Sequence, residues 1–255
     1  MKLFFRKYGE GKPIVILHGL FGLSDNWQSF AKQLEQNNFS VYAVDLRNHG
    51  SSPHHKEFNY NVLATDVFEL LEAEQIENPI LMGHSLGGKT AMRFALNYPE
   101  KISSLIVVDI APRYYTPHHQ QILEGLSTVD VNLIKSRGEA EKILSEKIPE
   151  PGTRQFLLKN LYWKNKERLD WKFSLRFIAD GIENVGEEIT SGKTFDKPTL
   201  FIAGEKSKYI NASDAVDITK LFPQSELTIA PNAGHWVHAD NPVWLLNKVL
   251  EFTND

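Results

Sequence analysis

Five consecutive residues near the first third of the chain have the types and spacing that acyl transfer to a serine requires: Gly83-His84-Ser85-Leu86-Gly87, a Gly-x-Ser-x-Gly. The apolar run Pro79-Ile80-Leu81-Met82 precedes them, and a helical segment with small residues at Gly87, Gly88 and Ala91 follows at once. A strand–turn–helix of this kind lifts a serine hydroxyl to the tip of a sharp turn, and the flanking glycines relieve its crowding. The helix N-terminus behind Ser85 brings partial positive charge to the place where an attacked carbonyl turns negative. Such a nucleophile needs oxyanion donors and a base. The backbone N–H of Leu86 is one expected donor. The other is sought in the small-residue loop His18-Gly19-Leu20-Phe21-Gly22, with Leu20 the first choice and Phe21 the alternative. His235, in Asn232-Ala233-Gly234-His235-Trp236, lies in a loop between the last strand and the last helix and is the expected base. His18 and His84 read as loop-shaping or packing residues. His49, His54, His55, His118 and His119 read as loop or surface residues. His238 has no carboxylate cluster beside it, so no metal is expected.

The elements that must position these residues alternate regularly. Pro13 to Leu17, Val41 to Val44, Pro79 to Met82 and Leu105 to Val108 are continuous apolar runs, the mark of strands buried on both faces of a parallel sheet. Helical spacing separates them over Ser24 to Gln36, Asn61 to Glu74 and Leu86 to Leu96, with Ser24 or Asp25 as the expected N-cap of the first. This is βαβ rhythm and predicts an α/β fold, a doubly wound sheet with right-handed crossovers. The rhythm stops after Ala111-Pro112. From about residue 113 to 193 no buried strand is expected, only helices rich in charge and aromatics over Gln120 to Leu126, Asn132 to Ile148 and Gln155 to Leu161. It resumes with a strand at Pro198 to Gly204, a helix at Asp214 to Leu221, a strand at Leu227 to Ile229 and a helix at Val243 to Phe252. The simplest organisation is a core of residues 1–112 and 193–255 interrupted by a helical cap, or lid, of residues 113–192.

The 255 residues are enough for one core that needs no metal or disulfide staple. There is no cysteine, which excludes disulfides, thiolate nucleophiles and zinc–thiolate sites. A net charge of −4 with interspersed signs argues against a nucleic-acid partner. The N-terminus has only three consecutive apolar residues, too few for a secretory signal, and no run approaches the roughly 20 residues of a membrane span. The expectation is a soluble cytoplasmic protein, monomer or homodimer, with a small-molecule substrate and no cofactor.

His18-Gly19, Asp45 to Ser52, Gly83 to Gly88 and Gly234-His235 occur in the order found in the α/β-hydrolase superfamily, which the chain resembles over nearly its whole length. Arg47-Asn48-His49-Gly50, Val108 to Pro112 and Gly234 to Ala239 resemble the small YbfF-type esterases most closely. The resemblance implies the α/β-hydrolase fold, a mostly parallel doubly wound sheet with a helical cap inserted after the sixth strand. It also implies the chain order nucleophile, acid, histidine. The acid departs from the commoner pattern: where that pattern puts aspartate after the strand ending at Gly204, this chain has Ser207. As in the YbfF type, Asp109, at the end of the preceding strand, is the expected acid, and Ser207 is expected to hydrogen-bond into the Asp–His pair. Glu205 and Asp214 are the runners-up, Asp214 on a solvent-facing helix.

The expected reaction is hydrolysis of a small to medium acyl ester or thioester through an acyl-enzyme on Ser85. Carbon–carbon bond cleavage on the same residues, or ligand sensing by a hydrolase-derived receptor, are the alternatives. The stretch Thr153 to Phe177 carries seven cations against Glu167 and Asp170, interleaved with aromatics. It suggests an anionic leaving group such as coenzyme A, against the plainer reading of a solvated face. Tyr162-Trp163 and Trp171 to Phe173 suggest a short hairpin.

Overall fold

The computed structural model describes residues 1–116 and 119–254. The strands are β1 (Phe5–Tyr8), β2 (Lys12–Leu17), β3 (Phe39–Val44), β4 (Ile80–His84), β5 (Ser104–Val108), β6 (Leu161–Trp163), β7 (Leu169–Trp171), β8 (Thr199–Gly204) and β9 (Ser225–Ala230), and the apolar runs supply β2, β3, β4, β5, β8 and β9. Seven of them form one sheet in the order β1-β3-β2-β4-β5-β8-β9. Only β1 is antiparallel to its neighbour; all other pairings in this sheet are parallel.

The continuous apolar runs are explained by two-sided burial. Along β2, Val15 and Leu17 enter one core while Ile14 and Ile16 enter the other. The same alternation holds for Leu105 and Val107 against Ile106 and Val108 on β5. Each fully buried aliphatic side chain of this kind contributes about 1.5–3 kcal/mol. Helices α1 (Gln28–Glu35), α2 (Tyr60–Ala73) and α3 (Leu86–Asn97) connect the first strands. The segment between β5 and β8 carries α4 (Gln120–Thr128), α5 (Arg137–Ser145), α6 (Pro151–Leu158), the β6–β7 hairpin, α7 (Leu175–Asp180) and α8 (Ile182–Gly186). The chain closes with α9 (Asp214–Leu221), α10 (Val237–Asp240) and α11 (Pro242–Asn254). α1 and α11 cover one face of the sheet through Phe30, Leu34, Leu245 and Val249. α2 and α3 cover the other through Leu63, Val67, Ala91 and Phe94.

Several boundaries differ from the sequence reading. The long segment follows the fifth strand of this chain, β5, rather than a sixth. Ser24–Trp27 is a 3-10 turn leading into α1, whose N-cap position is Trp27, so neither Ser24 nor Asp25 caps that helix; the Ser24 N–H donates to Asp45 Oδ1 at 2.6 Å. The helix expected over Asn132 to Ile148 starts only at Arg137, where the Ser136 side chain caps it by accepting from Glu139 N–H at 3.2 Å. The helix expected over Gln155 to Leu161 starts at Pro151, which suits a first-turn position, and stops at Leu158. Leu161 pairs with Trp171 in an antiparallel hairpin, the short hairpin suggested for Tyr162-Trp163 and Trp171 to Phe173, with its second strand at Leu169–Trp171.

Register brings the site together. Gly83 lies opposite Leu17, and His84 opposite Val108. The carboxyl ends of β2, β4, β5 and β8 therefore align, and the residues that follow them share one edge, where open α/β sheets bind their ligands.

Candidate active site

Ser85 sits between β4 and α3 at φ 53°, ψ −115°. A non-glycine residue there stores strain of order 1–3 kcal/mol, and it persists only because its surroundings fix it. The Ser85 N–H donates to Val108 carbonyl at 3.1 Å, and its carbonyl accepts from Lys89 N–H at 3.0 Å. A Cβ on Gly83 would come within 2.2 Å of the Gly87 carbonyl oxygen, and one on Gly87 within 2.3 Å of that of Leu17. The two glycines are therefore what lets the turn close.

Across the adjoining strand end, Asp109 is fully buried and also adopts positive φ, 52°. Its Oδ1 accepts from Gly204 N–H at 2.9 Å. Its Oδ2 accepts from His235 Nδ1 at 2.7 Å and from Ser207 Oγ at 2.5 Å. Nδ1 thus carries the proton and leaves Nε2 as the basic nitrogen. Ser207 Oγ in turn accepts from Tyr209 N–H at 3.2 Å, and the Tyr209 ring stacks on the His235 imidazole, centroids 3.9 Å apart. Behind the imidazole, the His235 carbonyl accepts from His84 Nε2 at 2.7 Å, so His84 joins the nucleophile strand to the histidine loop. Both rival carboxylates are engaged elsewhere. Glu205 accepts from Asn232 N–H at 2.7 Å. Asp214 is not solvent-facing: it is buried at the start of α9 and pairs with Arg113 at 2.9 Å.

The loop after β2 is held by two buried imidazoles. His18 Nδ1 donates to Gly19 carbonyl at 2.8 Å, and its Nε2 accepts from Leu46 N–H at 3.0 Å. His49 is not a surface residue. It is fully buried, donates from Nδ1 to Arg47 carbonyl at 2.9 Å and accepts from Phe21 N–H at 3.1 Å. That bond occupies the Phe21 amide and removes it from candidacy. The amides of Leu20 and Leu86 carry no hydrogen bond among the described residues, and both residues border a narrow slot beside Ser85. Arg47 locks the loop after β3, which carries His49, to α2 by a buried two-pronged pair with Asp66, at 2.5 and 2.8 Å. His54 and His55 are exposed, His119 reaches the cavity wall, and His118 lies outside the described residues.

Burial holds these imidazoles neutral. It lowers the pKa of His18 to about 4 and that of His49 to about 3; in His49 the neighbouring His18 adds to the effect. Burial is also the main cause that lowers His84 and brings His238 to about 4. An unfolded histidine takes its proton near pH 6.5. As pH falls through that value the unfolded chain gains protons that the folded chain refuses, so stability is lost progressively down to about pH 4. Tm should fall over this window. His49→Gln, which keeps an acceptor without a titrating ring, should show a shallower fall. Equal slopes for the two proteins would contradict the role given to His49.

Ser85 and His235 open into a cavity of about 260 Å³, walled by Trp27, Phe156, Leu157 and Trp236. His238 lies in its wall and stacks on Trp27 at 4.3 Å. None of the seven cations of residues 153–177 lines this cavity. Lys164 pairs with Asp170 at 2.8 Å and Arg154 with Glu141 at 3.4 Å. No group of three or more histidine and carboxylate side chains among the described residues is placed to hold a metal ion. Nor is any described helix long and apolar enough to cross a membrane.

A strained serine at a strand–helix turn, an imidazole oriented by a buried carboxylate and two unengaged amides form the arrangement of an acyl-transfer hydrolase. The α/β hydrolase fold family matches residues 12–129 and 147–242, and the chain belongs to that family. It is similar to the sn-1-specific diacylglycerol lipase ABHD11 of Mus musculus, 38% identical over 246 residues, which cover 94% of this chain and 80% of that one. It is also similar to esterase YbfF of Escherichia coli (strain K12), 34% identical over 249 residues, covering 96% and 94%. Among solved structures, a marine microorganism esterase superposes with a TM-score of 0.95 at 42% identity, covering 98% of this chain and 99% of that one. Within its family, then, the chain is an enzyme of the carboxylic ester hydrolase class.

Tyr209, Trp27 and the His49–Phe21 bond escape sequence reading. No local pattern announces a ring that stacks on a histidine 26 positions away, whereas Ser207, standing where aspartate is commoner, does announce itself.

Proposed function

We propose that the protein is a serine esterase that hydrolyses neutral carboxylic esters through an acyl-enzyme on Ser85. The observation that carries this reading is the buried Asp109 carboxylate holding His235 Nδ1 at 2.7 Å, with His235 and Ser85 in one cavity wall. His235 Nε2 takes the Ser85 proton as Oγ attacks the acyl carbon. The Leu20 and Leu86 amides hold the oxyanion, each worth about 2.7–4 kcal/mol of barrier in sites of this type. The imidazolium, stabilised by Asp109, then protonates the departing alcohol. Water, activated by the same imidazole, repeats the attack and releases the acid. Ser207 shares the Asp109 oxygen that faces His235 and so fixes the carboxylate rotamer. Residues 113–192 serve as a lid over a core of residues 1–112 and 193–255, since Ile122, Thr153, Phe156 and Leu157 from that segment close the cavity.

The lining of this cavity favours ester over carbon–carbon cleavage, because among the described residues no Lys, Arg, Asp or Glu stands in its wall to hold a keto acid. It also favours a neutral leaving group over coenzyme A, for the same reason. The relatives' names, esterase and diacylglycerol lipase, agree with a neutral ester. The test is steady-state turnover of p-nitrophenyl esters, a neutral thioester and an acyl-CoA, by wild type and by a Lys164→Glu/Lys166→Glu/Arg168→Glu variant. We expect many turnovers on the neutral substrates and kcat/KM within about twofold between the two proteins, as for surface substitutions remote from the chemistry. Absence of multiple turnover on every ester overturns the esterase reading. A selective collapse of acyl-CoA hydrolysis in the variant restores the anionic leaving group.

A further inference from the structure

Beside the large cavity, and sharing Leu20, Ser85, His119 and Tyr209 with it, lies a slot with only about 20 Å³ of free volume. Leu20, Leu86 and Ser85 line it beside the nucleophile, and Tyr60, Tyr115 and Gly186 are also among the residues of its walls. His235 borders the large cavity but not the slot. On the mechanism above, the group that protonates the departing alcohol must face that alcohol. The alcohol portion therefore belongs in the large cavity, and the acyl chain, on the other side of the carbonyl carbon, belongs in the slot.

What fixes the far wall of the slot is a lysine that the mechanism does not use. Lys89 lies one turn beyond Ser85 on α3 and is 1% exposed. Its ammonium donates to the Gly186 carbonyl at 3.3 Å and to the Glu187 carbonyl, at the end of α8. It also sits over two aromatic rings, 4.8 Å from the Tyr115 centroid and 5.6 Å from that of Tyr60. The same backbone is held from two more directions. Tyr60 OH donates to Val185 carbonyl at 2.7 Å, and Tyr115 N–H to Gly186 carbonyl at 2.9 Å. Tyr115 OH continues the frame by donating to the Tyr209 carbonyl at 2.5 Å. Tyr60, Tyr115 and Gly186, which all touch Lys89, are thus wall residues of the slot. A fully buried ammonium is costly unless its contacts are made, and here three of them, to Tyr60, Tyr115 and Gly186, lie on that wall.

We propose that the slot receives the acyl chain of the ester, and that Lys89, by pinning the slot's far wall to the nucleophile helix, is the positioning residue that restricts the enzyme to short acyl groups such as acetyl. This rests on the esterase reading above and deepens it. The clamp depends on charge, since a neutral amine keeps fewer donors and loses its attraction to the two rings. Burial, and after it the nearby Arg113, lower the Lys89 pKa to about 7, while Glu187 and Glu188 oppose them. Tyr60 from α2 and Tyr115 from the loop after β5 complete its surroundings. Deprotonation above neutrality should therefore loosen the wall.

The experiment compares kcat/KM for p-nitrophenyl acetate and p-nitrophenyl hexanoate, which share a leaving group, so that only the acyl chain changes. Wild type near pH 6 should favour acetate by about tenfold or more, the scale on which an apolar pocket discriminates added methylenes. Lys89→Met should narrow that ratio about tenfold, chiefly through a lower KM for hexanoate, with kcat on acetate little changed. In wild type the same ratio should narrow as pH rises from about 6 to about 9; any pH dependence of the shared catalytic steps is common to both esters and cancels. The pH series needs no variant and decides the matter if Lys89→Met does not fold. A ratio that is flat with pH, or equal in wild type and folded Lys89→Met, overturns the proposal while leaving the esterase reading intact. Wild type that turns over neither ester removes the esterase reading itself, and this inference with it.

Discussion

Asp109→Asn should lower kcat by about 10³–10⁴-fold while the protein stays folded, as expected when the orienting carboxylate of such a site becomes an amide. The loss follows from which oxygen does what. Oδ1 accepts from the Gly204 N–H, a buried donor that must keep its acceptor. The amide oxygen of the variant therefore takes that place, and its NH₂ faces Ser207 and His235. Ser207 can rotate its hydroxyl to accept. His235 can accommodate a donor at Nδ1 only by placing its own proton on Nε2, and an imidazole in that tautomer cannot take the Ser85 proton. Glu205→Gln and Asp214→Asn change equally negative groups close by, but these serve Asn232 and Arg113. Both variants should keep activity within a few-fold. Steady-state kinetics on one p-nitrophenyl ester, with circular dichroism to verify folding, compares all three. A collapse in either control with Asp109→Asn near wild type would move the acid elsewhere.

Ser85→Ala should remove turnover more completely, by about 10⁶-fold, leaving only what the oxyanion donors and binding supply over water. The prediction is stronger than for Asp109 because the nucleophile has no deputy. Among the described residues, Thr153 is the one other Ser or Thr that lines the large cavity and Thr116 the one other that lines the slot, and no cysteine exists in the chain. Folding should be nearly unaffected, with Tm within a few degrees of wild type. The substitution deletes one oxygen and keeps the strained turn, whose closure depends on Gly83, Gly87 and the bond from residue 85 to Val108 carbonyl. Activity that survives in Ser85→Ala at a tenth of wild type or more would place the chemistry outside this turn.

How far the sequence could be read depended on whether a feature is local. Ser85 announces itself by its neighbours, and His235 by its place in a loop after the last strand. The buried strands do so because two-sided burial demands unbroken apolar runs. β1 escaped because Phe5-Arg6-Lys7-Tyr8 is a half-exposed edge strand with two adjacent charges between its aromatics and no apolar run. The helix over residues 132–136 failed because Ser136 caps a helix better than it continues one. Asp109 is different in kind. Nothing in its spacing from Ser85 or His235 carries information; the β4–β5 register, with His84 opposite Val108, makes it the neighbour of Ser85. The family resemblance supplied that residue, and the absence of aspartate at position 207 made the question visible. Tyr209 on His235, and His49 on Phe21, are contacts between loops distant in sequence, and only the folded chain brings them together.

The most direct test of the central claim is to trap the intermediate. Protein mixed with p-nitrophenyl acetate, quenched within one turnover and measured by intact-mass and peptide mass spectrometry, should carry a single acetyl group on the peptide that contains Ser85. Ser85→Ala should carry none. Ester turnover by wild type with no acyl adduct at Ser85, or the same turnover in Ser85→Ala, would contradict the account.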